Sequence, residues 1–245
     1  MRSAIVTGAG RGIGFRLAQA LGAQGYGVII ADIDGAEEAA SALREMGVSC
    51  HGVRADVSSE GEVQAMTAAC VDRFGGVDVL VNNAGLITTL RPFEHITSDD
   101  WMKVMRVNTL GPFLCAKAAV PSMRERGGGR IVNISSVVAL KGVPGWLDYV
   151  ASKGAVIAFT RALAREMGPS KITVNAIAPG FTLSDGILKS KLHEAIGENA
   201  RIAGRSIQRD QVPDDLVGTL LYLVGEGSDF LTGQTIVVDG GSIFV

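Results

Sequence analysis

The sequence is poor in the residue types that bind metal ions or form disulfide bridges. Its 245 residues include three cysteines and three histidines. No Cys-x-x-Cys motif occurs, and no cysteine or histidine pair has the spacing of a zinc site. We therefore predict no metal site and three free thiols, and we assign no catalytic role to the histidines. These six residues are Cys50, Cys70, Cys115, His51, His95 and His193.

The sequence also has little net charge and no long hydrophobic run. A formal net charge of −2 gives no electrostatic reason to expect binding to nucleic acid or to an anionic membrane. The apolar runs are far shorter than the about 20 residues of a membrane-spanning helix. Because the first predicted strand begins by Ser3 or Ala4, we expect no signal or transit peptide. The predicted compartment is a reducing cytoplasm.

Short β-branched runs alternate along the chain with longer Ala-rich segments of helical period. Apolar residues follow one another within the runs, which is typical of parallel strands buried on both faces. With right-handed crossovers, this pattern predicts an α/β fold, a Rossmann-like doubly wound seven-stranded parallel sheet with helices on both faces. The predicted strands are 4–7, 27–32, 49–56, 77–85, 129–136, 171–180 and 234–241, and the predicted helices are 13–24, 36–46, 60–74, 99–106, 109–126, 149–167 and 212–223.

Nothing in the sequence divides the chain into parts. We find no linker, low-complexity tract or internal repeat, so we predict a single dinucleotide-binding domain over residues 1–245. The one long stretch without a strand pattern, at about 182–211, has the length of a functional loop. We expect this segment to cover the substrate.

Four glycines stand among the eight residues TGAGRGIG, numbers 7–14, directly after the first predicted strand. Each glycine in an ordered element costs roughly 0.5–1 kcal/mol relative to alanine, so their clustering indicates a tight turn or a close approach to a ligand. A turn from strand to helix also exposes N–H groups at the positive end of the helix dipole, where a pyrophosphate binds. The spacing is TGxxxGxG, from Thr7, Gly8, Gly12 and Gly14, and not GxGxxG. The alternative is a tight turn without a ligand.

Asp32 ends the second predicted strand, 24 residues after Gly8. This is close to the offset at which an acid accepts hydrogen bonds from the ribose of a dinucleotide. A carboxylate there repels the 2′-phosphate of NADP, whereas Arg11 in the glycine loop favours that phosphate. Asp34 competes with Asp32 for the helix-capping role. The residues favour NAD, with NADP as the alternative.

Tyr149 is the only one of three tyrosines followed by a lysine, Lys153, four residues later. Residues at this spacing share one face of a helix, and an ammonium close to a phenol lowers the phenol pKa towards the neutral range. Ser136 ends the preceding strand, at the sheet edge where ligands bind. Taken alone, the pair is also compatible with a solvated helix face. Asp148 is expected to cap this helix.

In their order and spacing, these motifs resemble the short-chain dehydrogenase/reductase family over nearly the whole chain. The resemblance implies the doubly wound fold, a nicotinamide cofactor and a homotetramer. The matching pieces are TGAGRGIG (7–14), Asp32, ADV (55–57), NNAG (82–85), Asn108, ISS (134–136), YVASK (149–153) and PGFTLS (179–184).

The resemblance also implies a role for each matching residue. Tyr149 would transfer a proton to or from the substrate oxygen, and Lys153 would bind the nicotinamide ribose. Ser136 would position the substrate oxygen, and Asn108 would anchor a water that relays protons to Lys153. Ser184 stands where the family frequently has threonine, so Thr182 is an alternative for that contact. The implied cofactor-binding residues are Gly8, Arg11, Gly12, Ile13, Gly14, Asp32, Asp56, Val57, Asn83, Ala84, Gly85, Tyr149, Lys153, Pro179, Gly180, Phe181, Thr182 and Ser184.

The substrate pocket is expected to be mainly apolar, which with NAD suggests interconversion of a small secondary alcohol and a ketone. The main alternative is an NADPH-dependent 3-oxoacyl-[acyl-carrier-protein] reductase, and a distant one is a non-catalytic nucleotide-binding protein. The predicted pocket residues are Ser136, Val138, Leu140, Trp146, Tyr149, Phe181, Ile187 and Leu188. The basic residues available for an acidic carrier protein are Arg91, Lys141, Arg201 and Arg205.

Overall fold

A computed structural model describes residues 1–189 and 191–245 of the chain. Within these residues the strands are β1 (Ser3–Thr7), β2 (Gly27–Asp32), β3 (Cys50–Arg54), β4 (Val79–Asn82), β5 (Gly129–Ile134), β6 (Ile172–Pro179) and β7 (Thr235–Val238). They form one seven-stranded sheet in the order β3-β2-β1-β4-β5-β6-β7, and every neighbouring pair is parallel. The doubly wound parallel sheet predicted from the sequence is confirmed.

The helices follow the predicted segments with a few differences. The helix that carries Tyr149 begins two residues earlier than predicted. The two helices predicted within residues 99–126 are joined without a break by a π-helical turn, Arg106–Leu110. The α-helices are α1 (Gly12–Ala23), α2 (Ala36–Glu45), α3 (Glu60–Phe74), α4 (Ser98–Met105), α5 (Gly111–Glu125), α6 (Val138–Lys141), α7 (Leu147–Met167), α8 (Asp185–Lys189), α9 (Leu192–Ile196), α10 (Glu198–Ile202) and α11 (Val217–Val224). Short 3₁₀ turns lie at Phe93–His95, Gly168–Ser170, Pro213–Leu216 and Glu226–Ser228.

The core is divided into two layers by the sheet. Val6 of β1 packs on one face with Leu17 of α1 and Leu220 of α11. Its neighbour Ile5 packs on the other face, with residues of α3 and α5 such as Met66. Because successive strand residues point to opposite faces and both faces are covered, the strands need apolar side chains at consecutive positions.

The order of the sheet changes direction between β1 and β4, and this opens a crevice at the carboxyl ends of the two strands. The glycine loop leaves β1 at this point, and Asn83 follows β4. The Asn83 side-chain amide donates to the carbonyls of Thr7 and Gly8, both at 2.9 Å. The Asn83 backbone N–H donates to the Thr7 hydroxyl at 3.1 Å. The loop is therefore fixed to the neighbouring strand end by side-chain bonds.

Gly14 lies where the first turn of α1 passes under this loop. A Cβ at Gly14 would stand 2.2 Å from the carbonyl oxygen of Gly8 and 2.5 Å from the side-chain nitrogen of Asn83. Gly14→Ala is expected to lower the free energy of unfolding by about 1–3 kcal/mol, because the loop must shift to admit the methyl group. Urea denaturation measures the loss.

Gly61→Ala in α3 is the matched control. A Cβ there meets no heavy atom of the described chain within 4 Å, apart from its own helix backbone. This variant should keep its stability or gain up to about 1 kcal/mol. Equal losses in the two variants would contradict the close packing assigned to Gly14.

Candidate active site

A cleft of about 1390 Å³ runs along the carboxyl ends of the strands, from the glycine loop to the segment 182–211. Every residue predicted to bind the cofactor lines this cleft, and so do Ser136, Val138, Trp146 and Ile187. Leu140 and Leu188 were also predicted in the pocket. Both are exposed, and neither is among the residues that line the cleft.

Tyr149 and Lys153 lie one turn apart on α7, and both are buried, with 8% and 4% of their surface exposed. The side chain of Ser136, just beyond the end of β5, lies beside the Tyr149 hydroxyl, close enough to lower the pKa of that hydroxyl. The Lys153 ammonium donates to the carbonyl of Ile134 at 2.8 Å and stands 5.7 Å from the centre of the Tyr149 ring. The Ser135 hydroxyl donates to the Lys153 carbonyl at 2.8 Å, which leaves Ser136 as the serine beside Tyr149.

Burial controls the protonation of both groups. It raises the pKa of Tyr149 to about 12, although the hydrogen bond with Ser136 acts in the opposite direction. Burial also lowers the pKa of Lys153 to about 8. The expectation that Lys153 lowers the Tyr149 pKa is not met here, because the ammonium is directed to Ile134 and desolvation of the phenol dominates. Tyr149 is therefore a protonated phenol near neutral pH.

Asn108 lies in the π-helical turn and is buried behind the cleft. Its side-chain oxygen accepts the N–H of Leu86 at 2.7 Å, and its amide donates to the carbonyl of Leu86 at 3.0 Å and to the hydroxyl of Ser152 at 2.9 Å. A π-helical turn adds one residue to the helix and is frequent at functional sites. Asn108 thus ties the chain after β4 to α7. The water relay implied by the resemblance stays a prediction.

The glycine loop holds an anionic group at the start of α1. The N–H of Gly12 donates to the carboxylate of Asp185 at 3.0 Å. Gly8 and Gly12 have φ angles of +63° and +60°, which glycine adopts without strain. A helix start that binds a carboxylate also fits the diphosphate of a dinucleotide. The sequence reasoning missed Asp185, whose only signal is its place directly after Ser184 in PGFTLSD.

The end of β2 carries two carboxylates and faces one guanidinium. Asp32 accepts the N–H of Gly10 at 2.9 Å and that of Asp34 at 3.3 Å. Arg11 forms an exposed ion pair with Asp34 at 3.9 Å. The charge of Arg11 is thus shared with Asp34, while Asp32 keeps its carboxylate at the cleft wall.

Among the other predicted cofactor-binding residues, Asp56 and Thr182 form hydrogen bonds to residues close to them in the sequence, whereas Ser184 lies against the glycine loop. Asp56 accepts the N–H and hydroxyl of Ser58 at 2.8 and 2.7 Å, which shapes the turn before α3. The Thr182 hydroxyl donates to the carbonyl of Gly180 at 3.1 Å. Ser184 lies beside Gly12, since a Cβ at Gly12 would be 3.3 Å from the Ser184 Cβ.

The four basic residues considered for a carrier protein are mostly engaged within the chain. Arg201 pairs with Asp210, and Arg205 is buried with its guanidinium on backbone carbonyls. Arg91 forms ion pairs with two carboxylates. Of the four, only Lys141 is exposed at the cleft rim.

No group of three or more His, Cys, Asp or Glu side chains in the described residues is placed to hold a metal ion. The described part of the chain also contains no helix with the length and apolar character needed to cross a membrane. All three cysteines are free and buried. Burial raises the pKa of Cys115 to about 12 and that of Cys70 to about 11, so these thiols are unreactive.

Comparison with known proteins assigns the chain to a family. The short chain dehydrogenase family model matches residues 2–194. The chain belongs to the short-chain dehydrogenase family. Members of this family are oxidoreductases that bind NAD or NADP.

Several curated proteins are similar to this short-chain dehydrogenase over almost their whole length. The 3-oxoacyl-[acyl-carrier-protein] reductase FabG of Staphylococcus aureus is 39% identical over 245 residues, covering 98% of this chain and 97% of that protein. The short-chain reductase protein NovJ of Streptomyces niveus is 39% identical over 246 residues, covering 97% and 92%. The 3-oxoacyl-[acyl-carrier-protein] reductase of Synechocystis sp. is 36% identical over 244 residues, covering 98% and 96%.

The Asp185 carboxylate competes with an anionic ligand for the N–H of Gly12. Asp185→Asn keeps a hydrogen-bond acceptor there but removes the charge. We expect Asp185→Asn to bind NADH and NADPH about fivefold more tightly than the wild type does, as measured by calorimetric titration.

Asp214→Asn is the control, because Asp214 pairs with Arg16 of α1 at the protein surface. The dinucleotide affinity of this variant should be unchanged. Weaker dinucleotide binding by Asp185→Asn would show that the carboxylate supports the loop instead of competing with the ligand.

Proposed function

We propose that this short-chain dehydrogenase interconverts a ketone and a secondary alcohol, with Tyr149 as the acid and base. The observation that carries the proposal is the placement of Tyr149, Ser136 and Lys153 together in the wall of a cleft, at whose other end the Gly12 N–H holds the carboxylate of Asp185. A nicotinamide dinucleotide, when bound, supplies or accepts the hydride. The Gly12 N–H would hold its diphosphate, and Lys153 would hold its nicotinamide ribose.

The protein side of the reaction follows from the protonation states. In reduction, the Tyr149 hydroxyl donates its proton to the carbonyl oxygen, and the Ser136 hydroxyl orients that oxygen by a hydrogen bond. In oxidation, Tyr149 takes the proton back from the alcohol. Trp146 packs edge-on to the Tyr149 ring, with 6.5 Å between the ring centres.

We propose NAD(H) as the preferred cofactor. Asp32 keeps its carboxylate at the cleft wall, and Arg11 is partly neutralised by Asp34. This charge balance favours a ribose with free hydroxyls over one that carries a 2′-phosphate.

A 3-oxoacyl thioester is the first candidate substrate. Relatives named 3-oxoacyl-[acyl-carrier-protein] reductase support this class. The apolar wall formed by Val138, Trp146 and Ile187 suits an acyl chain. Exposed Lys103 and Arg106 also line the cleft and would attract an acidic carrier.

A free apolar secondary alcohol, oxidised with NAD, is the second candidate. The observation that favours it is the carboxylate of Asp32. The engagement of Arg91, Arg201 and Arg205 within the chain also favours it, because it reduces the basic surface left for a carrier protein.

We also propose one domain over residues 1–245, with 182–211 covering the substrate. Ile187 and Lys191 from this segment line the cleft, and its far end is fixed by the Ile207 N–H on the carbonyl of Gly240 at 2.8 Å. Ser190, within this segment, lies outside the described residues. A homotetramer is proposed from the family resemblance, and exposed apolar side chains such as Phe113 support it.

Tyr149→Phe removes only the hydroxyl that transfers the proton. We expect kcat to fall by at least about 100-fold, while the dissociation constant for NADH changes much less. The assay follows the absorbance of the reduced cofactor with 3-oxoacyl thioesters of acyl carrier protein and of coenzyme A, and with apolar ketones and secondary alcohols.

Tyr222→Phe, on the exposed face of α11, is the matched control and should retain wild-type turnover. Equal turnover in Tyr149→Phe and wild type would contradict the role of Tyr149. A protein that binds NADH but turns over no substrate of the panel would favour the non-catalytic alternative. Higher kcat/KM for the thioesters than for simple ketones identifies the first candidate substrate.

Cofactor choice is tested by Asp32→Asn, which keeps the acceptor for the Gly10 N–H and removes the charge. The wild type is expected to prefer NADH, and the variant should shift the ratio of kcat/KM values towards NADPH by about tenfold. Arg11→Gln, the complementary variant, should weaken only the use of NADPH. A wild-type preference for NADPH would show that Arg11 determines the choice.

A further inference from the structure

Residues 86–92, here called the wall loop, follow β4 and form one side of the cleft. Leu86, Ile87, Thr88, Thr89 and Leu90 all line it, and the segment has no regular secondary structure. Its first residue is held by Asn108. Other contacts must hold the rest of the wall loop against the helix that carries Tyr149.

Backbone contacts join the wall loop to the residues just before α7. The N–H of Arg91 donates to the carbonyl of Gly145 at 3.0 Å, and the Trp146 indole N–H donates to the carbonyl of Thr88 at 2.8 Å. Gly145 has a φ angle of +82°, and a Cβ there would stand 2.9 Å from a methyl carbon of Leu90. The loop therefore lies directly against this turn.

Asp148 is the centre of the side-chain contacts. It stands one residue before Tyr149 and is 1% exposed. Its carboxylate accepts the Thr88 hydroxyl at 2.9 Å, the backbone N–H of Tyr149 at 2.8 Å and the guanidinium of Arg91 at 3.3 Å. The same guanidinium reaches Asp100, at the start of α4, at 3.0 Å.

A buried carboxylate is costly unless a cation compensates it, and Arg91 is the cation that contacts Asp148. Arg91 is itself mostly buried, with 23% of its side chain exposed. Both side chains lie behind the cleft wall, while the residues next to them, Leu90 and Tyr149, face into it. The ion pair can therefore affect the cleft only through the positions of the adjacent residues Leu90 and Tyr149.

We propose that Arg91 and Asp148 are a positioning pair, which fixes the substrate-facing wall loop against the first turn of α7 and so sets the fit of the ketone substrate beside Tyr149. The inference rests on the proposed function for its catalytic consequence. Neither Arg91 nor Asp148 is among the residues assigned to the dinucleotide, and most of those residues lie at the glycine loop, the end of β2 and residues 179–184. Loss of the pair should therefore affect the substrate and not the dinucleotide.

The test compares Arg91→Gln, Asp148→Asn and the double variant. Arg91→Gln leaves a buried carboxylate without its cation. We expect its KM for the ketone substrate to rise about tenfold, with a smaller change in kcat and an unchanged dissociation constant for NADH. Amide hydrogen exchange in residues 86–92 should become faster.

The double variant distinguishes a loss of loop positioning from the destabilisation caused by an unpaired buried charge. One carboxylate oxygen of Asp148 accepts both the Thr88 hydroxyl and the Tyr149 N–H, so the amide oxygen of the Asp148→Asn side chain can keep both bonds while the buried charge is removed. We expect the double variant to recover KM to within about threefold of wild type, more closely than Arg91→Gln alone. It also keeps the proposal testable if Arg91→Gln does not fold.

Arg126→Gln is the matched control. Arg126 forms a partly buried ion pair with Asp78, at 2.7 Å, at the amino ends of the strands and therefore away from the cleft. It should lower the melting temperature without changing KM or the exchange of residues 86–92.

Each other outcome decides against a defined part of the proposal. If folded Arg91→Gln shows unchanged amide hydrogen exchange in residues 86–92, the ion pair does not fix the wall loop against α7. Faster exchange with an unchanged KM, or an equal rise of KM in Arg126→Gln, would overturn the positioning role. A wild-type protein without turnover on any ketone would overturn the proposed function and the positioning role together, while the exchange measurement would still decide whether the tether exists.

Discussion

The arrangement of the site depends on one buried contact, the ammonium of Lys153 on the carbonyl of Ile134. It joins the first half of α7 to the end of β5. Burial lowers the pKa of the ammonium to about 8, which shows how unfavourable the charge is in this place. The contact ties the part of α7 that carries Tyr149 to the end of the strand that precedes Ser136.

The two ends of the cleft offer different interactions to a ligand, and residues of the segment 182–211 line the cleft between them. At one end, backbone N–H groups at the start of a helix attract an anion. At the other, two hydroxyls meet in an apolar wall where a phenol stays protonated. The bond from Gly12 to Asp185 links the covering segment to the anion-binding end.

The similar proteins give information about the reaction and the substrate, whereas the charges near the end of β2 give information about the cofactor. Identity of 36–39% to 3-oxoacyl-[acyl-carrier-protein] reductases extends over nearly the whole chain and concerns the reaction class and the substrate. The carboxylate at the end of β2 concerns the cofactor. One fold supports many substrates, so we expect the residues of the wall loop, Trp146 and the segment 182–211 to set the substrate specificity.

The sequence by itself determined the sheet, the glycine loop and the Tyr149–Lys153 pair, because each depends on local order: consecutive apolar residues, closely spaced glycines, and a four-residue step on one helix face. Only the tertiary structure decided the protonation of Tyr149, the contact of Asp185 with Gly12 across 173 residues, and the pairing of Arg91 with Asp148 across 57. Burial and contacts between distant parts of the chain arise when the layers pack, and no local spacing encodes them.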